Sequence, residues 1–288
     1  MPTIYDCSDP DELLTGTRLA RQALGRGELA VIPTDTVYGV AADAFNAEAV
    51  QKLLDAKGRG RQSPPPVLIG SLSTLDALAA SVPDEARKLA EAFWPGGLTI
   101  VFTAQPSLVW DLGETRGTVA LRMPDHKLAL ELLGETGPLA VSSANKTGLT
   151  AAKTAAAAEE MLGDSIEVYL DAGLAGAAYD GVTDSGASES STIVDVTGLG
   201  DGRGVRILRQ GVVSADQLRA VIGDRLETDE QLSAAAAAEG EPEASADAAT
   251  DATADAPVGD AEDASTEPAA ADRLPADDEA PAGSDPEA

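Results

Sequence analysis

A single cysteine, Cys7, is present in this chain, which rules out an intramolecular disulfide. Cys7 lies among Asp6, Ser8 and Asp9, with no second cysteine to complete a thiolate metal site, so a surface or half-buried thiol is expected. Histidine also occurs once, as His126. A lone imidazole at a helix start reads as a helix-start or surface residue rather than as a catalyst. With no second histidine and no Gly-x-Ser-x-Gly elbow, Ser143 lacks the partners of a nucleophile. The Walker and Gly-x-Gly-x-x-Gly sequences are absent too, so an ATP site here would not be one of the common glycine-loop sites.

Basic residues are scarce. The chain has 20 Lys and Arg against 49 Asp and Glu, a formal net charge of -29. The imbalance is uneven: residues 1–226 hold 30 acids and 19 Lys/Arg, whereas residues 227–288 hold 19 acids and one Arg. Even the first part is net acidic and lacks the basic footprint of a nucleic-acid binder. No apolar run is long enough to cross a membrane, and no basic stretch followed by an apolar one opens the chain, so a cytoplasmic protein is expected. Aromatic residues make up only 3% of the chain while 43% is apolar, so a sizeable core must be built from Ala, Val, Leu and Ile.

Two regions follow from composition. Residues 1–226 read as one folded domain. Residues 227–288 are rich in Ala, Asp, Glu, Pro and Gly, with few large apolar side chains. Such a segment cannot bury enough surface to offset its ordering entropy, and a disordered acidic tail is expected. It serves as a solubilising appendage or, on the sharper reading, as a docking tail for a basic partner.

The spacing of apolar residues predicts helices over 11–26, from Asn46 to Lys57, and over 74–80, 84–93, 126–134 and 214–222. Strands are predicted at 29–32, 67–69, 98–102, 118–122, 139–141, 166–170, 191–196 and 205–208. Interspersed helices and strands with several short strand-to-strand steps predict an α/β domain with a mixed sheet.

Polar residues gather where these strands end. Pro33-Thr34-Asp35-Thr36-Val37-Tyr38-Gly39 follows the strand at 29–32, and its small hydroxyl side chains suit a ligand better than a core. Asp35 itself reads by default as an exposed acid, with a metal or amine contact as the sharper alternative. Lys57, Arg59 and Arg61 lie beside a helix end and two glycines, where guanidinium forks match phosphate or carboxylate oxygens. Lys57 falls on the apolar face of its helix and is delivered inward. Arg122 leaves the sheet at a strand end, well placed to hold a carboxylate. Ser142-Ser143-Ala144-Asn145, Ser190-Ser191-Thr192 and Arg209 repeat the pattern. Together they describe a crevice of hydroxyls and cations on strand termini, suited to a small anionic or zwitterionic ligand with phosphates.

These residues carry a specific resemblance. Pro33 to Gly39, Lys57-Gly58-Arg59, Trp94-Pro95-Gly96-Gly97-Leu98-Thr99, Leu121-Arg122-Met123-Pro124-Asp125-His126, Ser142 to Asn145 and Ser191-Thr192-Ile193-Val194-Asp195 occur in that order. The chain resembles the YrdC-type threonylcarbamoyl-AMP synthase family over about residues 12–222, in its short form. The resemblance implies a YrdC-like twisted mixed sheet with flanking helices around a concave cavity. It implies a nucleotidyltransferase that joins L-threonine, bicarbonate and ATP, with Mg2+, into L-threonylcarbamoyl-AMP and pyrophosphate. The product would pass to a separate tRNA threonylcarbamoyl transferase complex for t6A modification of tRNA. By the same resemblance Thr36, Arg122, Val141 (through its backbone) and Ser191 contact threonine. Lys57 and Arg59 stabilise negative charge as the catalytic pair. Arg59, Thr118, Ser143 and Arg209 contact ATP, and no protein-held metal is implied. The loop after Arg59 is longer and richer in proline than the family's, so Arg59 and Arg61 compete for the second place of the Lys-x-Arg pair. Gly70 stands where the family often has a histidine. An RNA-binding or ribosome-associated module of the same fold is the alternative, and direct tRNA binding stays open at this point.

Overall fold

The structure is a computed structural model that describes residues 3–179 and 188–228. The expected acidic tail lies outside the described residues from residue 229 on. The last described residues are still hydrogen-bonded to the rest: Glu227 N–H donates to Val205 O at 2.9 Å, and Leu226 is buried.

Ten strands form one mixed sheet. They are β1 (Thr3–Asp6), β2 (Ala30–Ile32), β3 (Gly39–Asp43), β4 (Val67–Leu68), β5 (Leu98–Thr103), β6 (Thr118–Arg122), β7 (Leu139–Ser143), β8 (Val168–Asp171), β9 (Thr192–Asp195) and β10 (Arg206–Arg209). Their spatial order is β1-β8-β2-β3-β7-β4-β6-β5-β9-β10. Pairing is parallel at β1/β8, β8/β2, β4/β6 and β5/β9, and antiparallel elsewhere.

The helices are α1 (Pro10–Gly25), α2 (Ala47–Lys57), α3 (Leu72–Leu78), α4 (Asp84–Phe93), α5 (Lys127–Thr136), α6 (Ala155–Leu162) and α7 (Ala215–Ile222). Their ends follow local chemistry. The Asp9 side chain accepts from Asp11 N and Glu12 N, and Pro10 follows it in the first turn of α1. Asn46 accepts from Ala49 N at the start of α2, and Gly58 ends that helix at φ 62°, a left-handed conformation that glycine adopts without a Cβ clash.

Three elements were not anticipated: β1, β3 and α6. Gly39–Asp43 has small residues buried on both faces, so it shows no alternation. Ala155–Leu162 is alanine-rich, with no apolar stripe to mark a face, and only its Thr154 cap signals a helix.

One half of the sheet is covered on both faces. Along β2, Ala30 and Ile32 pack with α1 and α5, while Val31 turns the other way towards α2 and α6. The other half, β4 with β6, β5 and β9, packs Leu98, Ile100, Phe102, Leu121 and Val194 against α3, α4 and α7. The residues that alternate with these, Thr99, Val101, Thr118, Ala120, Arg122 and Ile193, face a cavity instead. The site therefore stands on the uncovered face of that half of the sheet.

Candidate active site

The cavity has a volume of about 310 Å³. Its floor is the β5–β6–β9 face. Its walls are the turn 34–39 between β2 and β3, Arg59 with Pro64, Pro65 and Pro66, the end of β7 at Val141–Ser143, and Ser190, Ser191, Leu208 and Arg209 at the β9–β10 edge. Eight of the nine residues expected at the site line this one cavity: Thr36, Arg59, Thr118, Arg122, Val141, Ser143, Ser191 and Arg209. Lys57 is not among the lining residues.

Lys57 ends α2 on its buried face, at 3% exposure. Its ammonium donates to Ser143 O at 2.5 Å, to Asn145 O at 2.6 Å and to Asn145 Oδ1 at 3.3 Å. An ammonium has three protons, and each finds an acceptor here. Lys57 O in turn accepts from Thr147 N at 2.9 Å. The side chain thus fixes the turn that leaves β7. Burial, and then the Arg59 charge, pull its pKa down to about 8. Gly58 reverses the chain next, and Arg59 enters the cavity, where its Nη1 donates to Ser142 Oγ at 3.2 Å.

Arg61 goes elsewhere. Its Nη2 pairs with Asp111 Oδ1 at 2.6 Å and its Nη1 donates to Gln51 Oε1 at 3.2 Å. It joins the 58–66 loop to the 105–117 loop, so of the two competing arginines the cavity receives Arg59.

Asp35, expected to be an exposed acid, is 8% exposed and forms an ion pair with Arg122, Nη2 to Oδ1 at 2.6 Å. The Thr34–Val37 turn explains the burial. Thr34 Oγ1 donates to Val37 O at 2.5 Å and accepts from Thr36 N at 3.2 Å, a tight hydroxyl turn that folds Asp35 inward. Arg122 also donates from Nε to Gly96 O at 2.9 Å and from Nη1 to Thr36 Oγ1 at 3.1 Å.

Ser191 Oγ and Thr99 Oγ1 are hydrogen-bonded at 2.8 Å, and Arg209 donates to Ser191 O from both Nε and Nη2. Burial, then the charges of Arg122 and Arg59, lower the Arg209 pKa to about 10. The three guanidinium groups line one cavity, which favours a polyanionic ligand. Thr118 Oγ1 donates to Thr115 O at 2.8 Å, and Val141 N–H is used by Pro66 O at 2.8 Å.

Thr34, Thr99 and Ser142 also line the cavity and were not singled out as site residues. Thr34 and Ser142 lie inside stretches marked as polar at a strand end, and Thr99 lies in the Trp94–Thr99 motif; the alternation of Thr34 with Thr36, and of Thr99 with the buried Leu98 and Ile100, is the signal for them. His126 is half-buried. Burial lowers its pKa, Asp35 and Asp125 acting against that, and its Nδ1 has no hydrogen-bond partner. Gly70 backs onto α5, where a Cβ would stand 3.3 Å from Leu133 Cβ.

Similarity to known proteins agrees with this geometry. Residues 22–211 match the Sua5_yciO_yrdC family model, described as "Telomere recombination". The chain belongs to the Sua5/YciO/YrdC family. A Mycobacterium tuberculosis relative, provisionally named threonylcarbamoyl-AMP synthase, is 48% identical over 223 residues, which are 77% of this chain and 96% of that protein. The threonylcarbamoyl-AMP synthase of Bacillus subtilis is 38% identical over 219 residues, covering 74% of this chain and 59% of its own length. Among solved structures, Pyrococcus abyssi Sua5 complexed with L-threonine is 30% identical with a TM-score of 0.68, covering 86% of this chain and 66% of that one. Escherichia coli YciO, at 18% identity and a TM-score of 0.61, shares the Sua5/YciO/YrdC fold. Among the described residues no helix is long and apolar enough to cross a membrane.

Proposed function

We propose that this chain is an L-threonylcarbamoyl-AMP synthase, a nucleotidyltransferase that uses L-threonine, bicarbonate and ATP and releases pyrophosphate, in the cytoplasm. The observation that carries the reading is the shared cavity. Arg59, Arg122 and Arg209 meet there with the hydroxyls of Thr36, Thr99 and Ser191, though they come from six separate stretches of sequence.

The chemistry asks for positioning and charge neutralisation rather than a covalent intermediate. The neutral threonine amine attacks carbon dioxide and gives up a proton, or attacks bicarbonate with loss of water, and becomes a carbamate. A carbamate oxygen then attacks the α-phosphorus in line, the bond to the β-phosphate oxygen breaks, and pyrophosphate leaves. Arg122 orients the threonine carboxylate, with Thr36 and Ser191 beside it and the Val141 backbone at the cavity wall. Arg59 and Arg209 stabilise charge on the phosphates, with Thr118 and Ser143 as further nucleotide contacts. Lys57 serves the same charge from behind, by holding the Ser143–Asn145 turn.

Among the described residues no group of three or more His, Cys, Asp or Glu is placed to hold a metal. Mg2+ would enter with the triphosphate and would supply charge neutralisation beside Arg59 and Arg209. The product would be handed to a tRNA threonylcarbamoyl transferase complex. Direct tRNA contact is not part of the proposal, because the cationic groups point into a small-molecule cavity. Mass spectrometry of enzyme with ATP, Mg2+, threonine and bicarbonate tests the reading. The threonine-dependent adenylate is the expected product, and its absence with ATP hydrolysed or untouched overturns it.

A further inference from the structure

Tyr179 belongs to none of the six motifs, yet it reaches the ion pair that Asp35 makes with Arg122, a residue of the cavity floor. It ends the short turn Ala177–Tyr179, and its hydroxyl donates to Asp35 Oδ2 at 3.0 Å. Burial and the Asp35 charge raise its pKa, so it stays protonated and can only hold Asp35 as a donor. Its ring lies against Gly97, where a Cβ would stand 3.1 Å from the phenol oxygen, so the missing side chain there admits it.

The other Asp35 oxygen, Oδ1, accepts from Arg122 Nη2 at 2.6 Å and from Asp125 N at 3.0 Å. Arg122 also spends its Nε proton on Gly96 O and one Nη1 proton on Thr36 Oγ1. A guanidinium has five N–H groups. Three are used, which leaves one on each terminal nitrogen. That pair is what an incoming carboxylate needs.

A carboxylate beside a guanidinium tends to close into a two-bonded fork. Were Oδ2 free, rotation of the Asp35 carboxylate would bring it onto the remaining Arg122 donors. We propose that Tyr179 is a positioning residue: by occupying Oδ2 it keeps the Asp35–Arg122 pair single-bonded, so that Arg122 retains two N–H groups for the carboxylate of an α-amino acid. This rests on the threonine reading above and adds to it a residue from outside the family motifs.

Calorimetric titration of the full chain with L-threonine tests it, alongside ATP titration and thermal melts. Tyr179→Phe removes only the hydroxyl. It is expected to weaken threonine binding about tenfold, the loss of one charge-assisted hydrogen bond, with ATP affinity and melting temperature unchanged. In an Asp35→Asn background the side chain has a single acceptor and cannot form the fork, so adding Tyr179→Phe should cost nothing more. Equal threonine affinity in wild type and Tyr179→Phe overturns the proposal. So does the same loss in both backgrounds, which would mark a merely structural tyrosine. A crystal structure of Tyr179→Phe gives a second readout. Both Asp35 oxygens on Arg122 is the expected arrangement, and an unchanged single bond overturns it. If the wild type itself binds no threonine, the functional reading falls and this proposal with it, an outcome distinct from a failure at Tyr179 alone.

Discussion

Asp35 and Arg122 stand 87 residues apart in the chain and meet as a buried ion pair at 2.6 Å. Neither partner is more than 8% exposed. Such a pair is held less by its own attraction than by the cost of breaking it, because removing one member leaves the other charged, buried and unmatched. Asp35→Ala should therefore destabilise the fold by roughly 3–5 kcal/mol. Asp35→Asn also leaves the Arg122 charge unmatched but keeps an acceptor for Nη2, so it should cost less by about 1 kcal/mol, the worth of that hydrogen bond. Denaturant unfolding of both variants checks this, and a loss below about 1 kcal/mol in both would mean that the buried pair does not hold the fold.

The two arginines of the 58–66 loop should separate cleanly. Arg59 lines the cavity, so Arg59→Ala is expected to lower ATP-dependent product formation by at least ~10²-fold, the scale of losing one preorganised charge-stabilising donor, without a change in melting temperature. The Arg61–Asp111 pair is over 40% exposed on both sides. Arg61→Ala should cost no more than ~1 kcal/mol of stability, as exposed pairs do, and leave turnover within a few-fold of wild type. Initial rates and melts on the two variants decide between Lys57-x-Arg59 and Arg59-x-Arg61 as the working pair.

Lys57 makes the site sensitive to alkali. Its pKa falls to about 8 from an ordinary 10.5 because the ammonium is buried, with Arg59 adding to the shift. As pH rises through about 8 the folded protein loses this proton, and one of the three oxygens around Nζ loses its donor. ATP affinity should fall over that range as the Ser143–Asn145 turn loosens. Stability should move the other way for this group. Between about pH 8 and 10.5 the unfolded chain holds the proton that the folded one has released, so the Lys57 contribution rises with pH. ATP titrations from pH 7 to 9 are the check. Lys57→Met should bind ATP weakly throughout and show no further alkaline loss from this source.

Much of this arrangement was legible in the order of residues, for definite reasons. Thr118-x-Ala120-x-Arg122 alternates with Val119 and Leu121, and the structure turns the first set to the cavity and the second to the core. Lys57 repeats the apolar face of α2, so its inward direction was readable. Its partners, Ser143 O and the Asn145 oxygens, were not, because they lie 86 and 88 residues away. Asp35 reads as an exposed acid because a carboxylate between two threonines usually is one. Its burial is made tolerable by Arg122, Asp125 N and Tyr179, all far along the chain. β3 escaped because Gly39–Asp43 is small-residued and buried on both faces, and α6 because an alanine run carries propensity without a face. Tyr179 carries no local signal at all, since its role depends on the glycine at position 97.

The C-terminal acidic segment gives the last test, and the structure says where to cut. Leu226 is 2% exposed, Glu227 N donates to Val205 O at 2.9 Å, and Gly204 N donates to a Glu227 side-chain oxygen at 2.9 Å. These contacts close the chain onto the entry to β10, the strand that carries Arg209 into the cavity. A chain ending after Thr228 keeps them all and should retain the wild-type melting temperature and adenylate synthesis, because the acids removed are the ones whose composition favours solvent over a core. A chain ending after Arg225 loses the buried Leu226 as well, which should cost about 2–5 kcal/mol and lower activity through the β10 edge. Melts and initial rates of the two truncations separate the cases. A large loss of synthesis in the longer one, with its stability intact, would show that the acidic segment takes part in catalysis or in closing the site.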